Sequence, residues 1–138
     1  MDHRDARPEI EKSEADWRRE LGDERFRVLR EAGTEPPFSG ALLEMTDDGT
    51  YRCGACGAAL FAADSKFESH CGWPSFTHPS ELENVRLLDD DTFGMHRVEV
   101  RCKRCDSHLG HVFDDGPGPR NTRYCINSLA LTFSPTQK

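Results

Sequence analysis

Apolar and polar positions change their spacing partway along this 138-residue chain. Residues 1–12 are polar and read as a flexible N-terminus. A helix is predicted from Ser13, where Ser13-Glu14-Ala15-Asp16 resembles a capping box with Asp at its last position. Trp17 and Leu21 then share one face at i, i+4. Asp23 is placed to cap a second helix carrying Phe26, Leu29 and Arg30, with Gly33 as its stop. Glu35-Pro36-Pro37-Phe38-Ser39-Gly40 follows as an extended, turn-rich connector. Beyond Ala41 the spacing becomes that of strands. Asp47-Asp48-Gly49 reads as a turn before Tyr51-Arg52-Cys53. Polar and apolar residues alternate over His96–Arg101, and Tyr124–Phe133 is also strand-like. Short strands punctuated by Gly, Pro and Asp predict a mainly β fold, as an antiparallel sheet, sandwich or open barrel. The short N-terminal helices should pack on that β body, giving one domain over residues 13–138.

Composition narrows the partners. A net charge of -7, with 31% charged residues, argues against nucleic-acid binding through a basic field and against an anionic membrane surface. The small patch Arg101, Lys103 and Arg104 does not change that. No apolar run approaches the ~20 residues of a membrane helix. The first residues show no apolar signal-peptide core, so the cytoplasm and a monomeric chain are the expectation.

The six cysteines carry more information. In an exported chain they would suggest three disulfides. Here four of them form two C-x-x-C pairs, Cys53/Cys56 and Cys102/Cys105, which in a reducing compartment points to metal or redox chemistry. Two residues between ligands let one tight knuckle present both sulfurs to a single tetrahedral ion, and two knuckles complete a four-cysteine zinc site. With 45 residues between the pairs, such a site clamps distant hairpins. A closed thiolate site has no open position for water, so the zinc would be structural. Two other readings stay open: a redox dithiol, which should open a helix in a βαβ unit, and plain buried thiols.

Cys71 and Cys125 stand outside these pairs. Either can be a small core residue. On a strand, however, Arg123, Cys125 and Asn127 share one face and Tyr124 and Ile126 the other. A thiol between a guanidinium and an amide is suited to a lowered pKa and to nucleophilic attack. An oxidised nucleophile needs a second thiol, and Cys71 is the cysteine left over. It sits in His70-Cys71-Gly72-Trp73-Pro74-Ser75-Phe76, which reads as a mobile surface loop.

Several motifs in order resemble the methionine-R-sulfoxide reductases of the B type. They are Gly33-Thr-Glu-Pro-Pro-Phe-Ser-Gly40, Cys53-Gly-Ala-Cys56, Cys71-Gly-Trp-Pro-Ser-Phe76, Arg101-Cys-Lys-Arg-Cys105, His108-Leu-Gly-His-Val-Phe113-Asp-Asp-Gly-Pro117 and Arg123-Tyr-Cys-Ile-Asn-Ser128. The likeness covers roughly residues 14 to 134. It implies two antiparallel sheets with short N-terminal helices, a structural zinc on Cys53, Cys56, Cys102 and Cys105, and reduction of methionine-R-sulfoxide, preferentially within proteins, with thioredoxin as reductant. It places the nucleophile on Cys125, the resolving cysteine on Cys71, and the substrate site on Trp73, His108, His111, Phe113, Arg123 and Asn127.

The chemistry suits those residue types. A thiolate can attack the sulfoxide sulfur only if the oxygen gains a proton as charge builds on it. Histidine titrates near working pH, so His108 and His111 are the natural donors, although either can equally be a structural residue. Arg123 supplies positive field. Trp73, unless it is a core aromatic, offers an indole face to the substrate methyl, with Phe113 beside it. The competing function is a non-enzymatic, zinc-stapled β module that binds a peptide through an aromatic pocket around Trp73.

Overall fold

The computed structural model describes residues 10–135 except 44, 46, 70, 81, 92–93, 95 and 117–121. Its first element is a helical run, α1 (Glu14–Glu31), capped by the Ser13 side chain, which accepts the Asp16 N–H at 3.1 Å. Gly22, at φ 81 and ψ 165, interrupts the run. The run is therefore two helical segments that meet at Gly22, directly before Asp23, as the sequence predicts, because only glycine takes that conformation cheaply. The stop falls one residue earlier than expected. Ala32, not Gly33, is left-handed (φ 56), while Gly33 donates its N–H to the Arg27 carbonyl at 2.9 Å. Trp17, Phe26, Val28 and Leu29 are buried on α1, which packs on the strand His108–Phe113 and on the turn Ser128–Ala130. Of the residues read as a flexible N-terminus, 1–9 lie outside the described residues. Ile10 donates its N–H to the Arg104 carbonyl at 3.0 Å.

The rest is β. Strands β1 (Gly49–Cys53), β2 (Ala59–Ala62), β3 (Lys66–Phe67), β4 (Ser75–Phe76), β5 (Val85–Asp90), β6 (Arg97–Cys102), β7 (His108–Phe113), β8 (Arg123–Ile126) and β9 (Leu131–Pro135) form two antiparallel sheets. The smaller has order β2-β1-β9 and the larger β3-β4-β8-β7-β6-β5. Aromatic rings join them. Phe61 of the small sheet stacks on Phe76 of the large one, with centroids 4.3 Å apart, and Tyr51 meets Phe76 edge-on at 5.1 Å. All three side chains are fully buried. Two sheets whose apolar faces meet this way form the sandwich-like body that the alternating strands imply.

The strand-like stretch Tyr124–Phe133 comprises two strands. It is β8, then a 3-10 turn at Ser128–Ala130, then β9 in the other sheet. The apolar run continues because both strands and the turn face the same core, so hydrophobicity does not register the change of sheet. The hydrogen bonding does. Asn127 donates its backbone N–H to Leu109 at 2.9 Å, and its carbonyl accepts from Ala130 at 3.0 Å, which closes the turn. Among the described residues no helix is long and apolar enough to cross a membrane.

Candidate active site and metal centre

The two C-x-x-C pairs adopt the same knuckle. In each, the first cysteine ends a strand, and the residue after the second takes a positive φ: Gly57 at 83 and Asp106 at 64. In each, that residue donates its N–H back to the first cysteine's carbonyl, at 2.9 and 2.7 Å. One knuckle extends the small sheet and the other joins β6 to β7, so the cluster spans both sheets. All four Sγ atoms lie within 4.8 Å of one another. Cys53–Cys105 are 3.7 Å apart and Cys56–Cys102 3.6 Å. A tetrahedron with metal–sulfur bonds of about 2.3 Å has edges of about 3.75 Å, so the donors fit a single four-coordinate ion.

The second site lies on the polar face of the large sheet. Cross-strand register fixes it. Ser75, Cys125, His111 and Glu99 stand directly opposite one another on β4, β8, β7 and β6. His108 joins the same face through a bulge. Gly110 pairs with Val100 and His108 with Arg101, leaving Leu109 as the extra residue, which turns His108 and His111 to one side despite their odd spacing. The imidazole rings are 5.6 Å apart.

A cavity of about 200 Å³ opens on this face, lined by Thr34, Cys71, Trp73, Arg97, Gly110, His111, Phe113, Arg123, Cys125 and Asn127. Seven of the expected site residues thus meet at one place. His108 does not line the cavity. It lies in the adjoining hollow with Asp90, Arg97, Glu99 and His111. There its Nδ1 is 2.7 Å from Glu99 Oε2. Burial raises the Glu99 pKa, but His108 and Arg101 outweigh it and hold the carboxyl at about 2.

The two thiols are close: Cys71 Sγ is 3.3 Å from Cys125 Sγ. The Cys71 loop, read as mobile, is tied down. Ser69 Oγ and Ser75 Oγ are 2.7 Å apart, Phe38 N–H bonds the Gly72 carbonyl at 2.7 Å, and Trp73 Nε1–H bonds the Glu35 carbonyl at 2.9 Å. That last bond holds the indole by its edge, and the ring lines the cavity; Trp73 is half-buried and not a core aromatic.

Electrostatics differ from the sequence expectation at one point. Burial pushes the Cys125 thiol up to about 12, helped by the adjacent Cys71, and Arg123 only partly offsets this. The guanidinium is shared: it bonds Asp115 at 2.7 Å and lies 4.5 Å over the Phe113 ring. For Cys71, burial acts upward too, but hydrogen bonds from Ser69 and Ser75 prevail and the pKa falls below its ordinary value. Of the two thiols, Cys125 therefore holds its proton more firmly. Burial also lowers the His111 pKa, against the upward pull of Asp90. His111 Nε2 is 2.8 Å from Asp90 Oδ2. An ionised carboxylate only accepts, so Nε2 carries the hydrogen and Nδ1 has a free lone pair when the ring is neutral. Asn127 Oδ1 accepts the Glu35 N–H at 2.9 Å, and one hydrogen of its Nδ2 goes to the Leu109 carbonyl at 3.0 Å.

Sequence reasoning missed Thr34, Asp90, Arg97 and Glu99. Arg97 and Glu99 lie in the alternating run His96–Arg101, whose polar face was visible; its direction toward Cys125 was not. Asp90 is 21 residues from its histidine, beyond any local pattern.

A family model described as the SelR domain matches residues 21–135. Curated relatives named peptide methionine sulfoxide reductase MsrB match over nearly the whole chain. One from Methanosarcina barkeri is 50% identical over 133 residues, 96% of this chain and 94% of its own length. Another from Methanosarcina mazei is 54% identical over 129 residues, covering 94% and 92%. A third from Leptospira interrogans is 52% identical over 125 residues, covering 91% and 95%.

Proposed function

The chain belongs to the SelR-domain family, and on that premise we propose how its pocket carries out the family's reaction. The protein is a peptide methionine sulfoxide reductase, as its half-identical relatives are. The finer reading is that it reduces the R epimer, preferentially in proteins, through Cys125 and Cys71, within one domain over residues 13–138. The observation that carries this is the 3.3 Å approach of Cys71 and Cys125 beside His111 in one cavity.

In the first step Cys125 Sγ attacks the sulfoxide sulfur. The thiol loses its proton to His111 Nδ1, opposite it across the ladder, and the imidazole passes that proton to the sulfoxide oxygen. The sulfoxide S–O bond breaks as the hydroxyl passes to Sγ, the Sγ–S bond formed in the attack breaks with its electron pair going to the departing thioether, methionine leaves, and Cys125 is left as a sulfenic acid. Cys71, the more acidic thiol, then attacks Cys125 Sγ; the sulfenic oxygen departs as water and a Cys71–Cys125 disulfide forms. A thioredoxin-type dithiol takes up the disulfide by exchange. The sum is one sulfoxide and two thiols giving one thioether, one disulfide and one water. His111 rather than His108 moves the proton, since it is the histidine in the cavity. Arg123 opposes the charge on the two sulfurs, and the faces of Trp73 and Phe113 receive the methyl and side chain. Asn127, with one amide hydrogen uncommitted, donates to substrate or thiolate. Cys53, Cys56, Cys102 and Cys105 hold zinc, which supplies no chemistry and ties the two sheets. The protein works as a cytoplasmic monomer without nucleic-acid or membrane partners.

The experiment is reduction of each epimer of a methionine sulfoxide peptide by the zinc-loaded protein with dithiothreitol. Methionine from the R epimer alone is expected. Reduction of the S epimer would break the stereochemical assignment. Reduction of neither would turn the pocket into a peptide-binding site.

A further inference from the structure

We propose that Glu35 is a positioning residue for the pocket: its buried carboxylate locks the segment that follows α1, and its own main chain thereby orients Trp73 and Asn127. The inference rests on the reading of the pocket as the sulfoxide site. Glu35 does not line the cavity and is 1% exposed. Its backbone N–H donates to Asn127 Oδ1 at 2.9 Å, and its carbonyl accepts the Trp73 indole N–H at 2.9 Å. One peptide segment therefore bonds both walls of the cavity, the indole after Cys71 and the amide after Cys125. Thr34, its neighbour, lines the cavity itself.

What fixes that segment is the side chain. Glu35 Oε1 accepts the Leu129 N–H at 2.8 Å, in the turn that leads away from β8. The other oxygen, Oε2, has no hydrogen-bond partner among the described residues. A Cβ on Gly40 would stand 2.6 Å from it, so the segment folds back tightly over the carboxylate. Burying a carboxylate with one oxygen unmet is costly, and an apolar side chain would fill the space at lower cost. An apolar replacement would not hold Leu129. The carboxylate thus sets where residue 35 sits, and residue 35 sets the two pocket side chains.

The test uses the zinc-loaded full chain carrying Glu35→Ala or Glu35→Gln. Two readouts are taken: the R-sulfoxide peptide concentration that half-saturates single-turnover reduction, and the Trp73 indole N–H resonance. Trp17→Phe assigns the latter, since the chain has 2 tryptophans. Glu35→Ala should raise the half-saturating concentration about tenfold or more, because small misplacements of binding groups cost that much, and should move the resonance. Glu35→Gln keeps an oxygen for Leu129 and should restore both, within about threefold of wild type. A folded Glu35→Ala that melts lower but keeps the wild-type concentration and resonance overturns the proposal, as does a Glu35→Gln as impaired as the alanine. If Glu35→Ala does not fold, Glu35→Asp, shorter by one methylene, is judged by the same criteria. If the wild type reduces no sulfoxide, the pocket reading fails by itself, and an unmoved indole resonance then overturns the positioning role separately.

Discussion

The ordering of the two pocket thiols gives the sharpest quantitative prediction: Cys71 should react with an alkylating agent well before Cys125. Burial and the neighbouring Cys71 push the Cys125 pKa to about 12, so at pH 8 about one molecule in ten thousand is ionised, against about one in four for a thiol of ~8.5. That is a loss of roughly 3.4 decades in thiolate. Nucleophilicity rises with basicity with a slope of about 0.4–0.5, which returns roughly 1.5 decades over the same interval. Cys125 should therefore alkylate about a hundredfold more slowly than an ordinary exposed thiol, with the rate still climbing above about pH 10. Cys71, half-buried and with a pKa below its ordinary value, should lead. The assay is sub-stoichiometric iodoacetamide on the zinc-loaded protein across a pH series, with peptide mass spectrometry of each cysteine. Cys71→Ser removes the sulfur 3.3 Å away and both of its upward contributions, so Cys125 should accelerate about threefold for each unit its pKa falls. Alkylation of Cys125 ahead of Cys71, or a plateau in its rate below pH 9, would refute the reasoning. Slow alkylation of Cys125 is accordingly no argument against catalysis; turnover, not resting reactivity, separates an enzyme from a peptide-binding module.

Other consequences are direct. Cys125→Ser should form no methionine, whereas Cys71→Ser should form one methionine per chain and then stop when thioredoxin is the reductant; full turnover by Cys71→Ser would discard the resolving role. Stripping the metal with a strong chelator should unfold the chain by circular dichroism. Thiolate zinc sites contribute on the order of 10 kcal/mol, comparable to the whole stability of a small domain. Gly110→Ala would drive a Cβ into the Cys125 carbonyl. It should destabilise the fold by about 1–3 kcal/mol or more in urea melts, as overpacking does, and should slow reduction as β8 shifts.

Much of this was legible in the chain because the physics is local. Phe26 and Leu29 share a helix face by their spacing and are buried, as is Trp17, while Leu21 on the face of Trp17 is partly buried. The paired C-x-x-C knuckles needed only two residues between ligands and a turn after them, and both turns are present. The alternation Arg123, Cys125, Asn127 against Tyr124, Ile126 held, with the first three around the cavity and the last two in the core. What stayed hidden depends on residues distant in sequence. The acidity of Cys125 was judged from Arg123 two positions away, yet it is set by burial and by Cys71, 54 residues off, while Asp115 and Phe113 occupy the guanidinium.

The two histidines show how little can separate a legible site from an illegible one. Strict alternation puts His108 and His111 on opposite faces, and the flexible Leu109-Gly110 between them marks where alternation can break but not which way His108 turns. Leu109, as an unpaired extra residue, cancels the odd spacing and brings both rings to one face. The bulge has a physical reason in the neighbouring strand. Leu109 is fully buried, and its carbonyl accepts both the backbone N–H of Asn127 and that residue's side-chain amide. The same Asn127 ends β8 and closes the turn into the other sheet. The register of the histidines, the break after Ile126 and the orientation of a cavity amide therefore meet at one asparagine. A one-residue slip there would reverse every side chain beyond it, and Cys125 would lose the imidazole now standing opposite it.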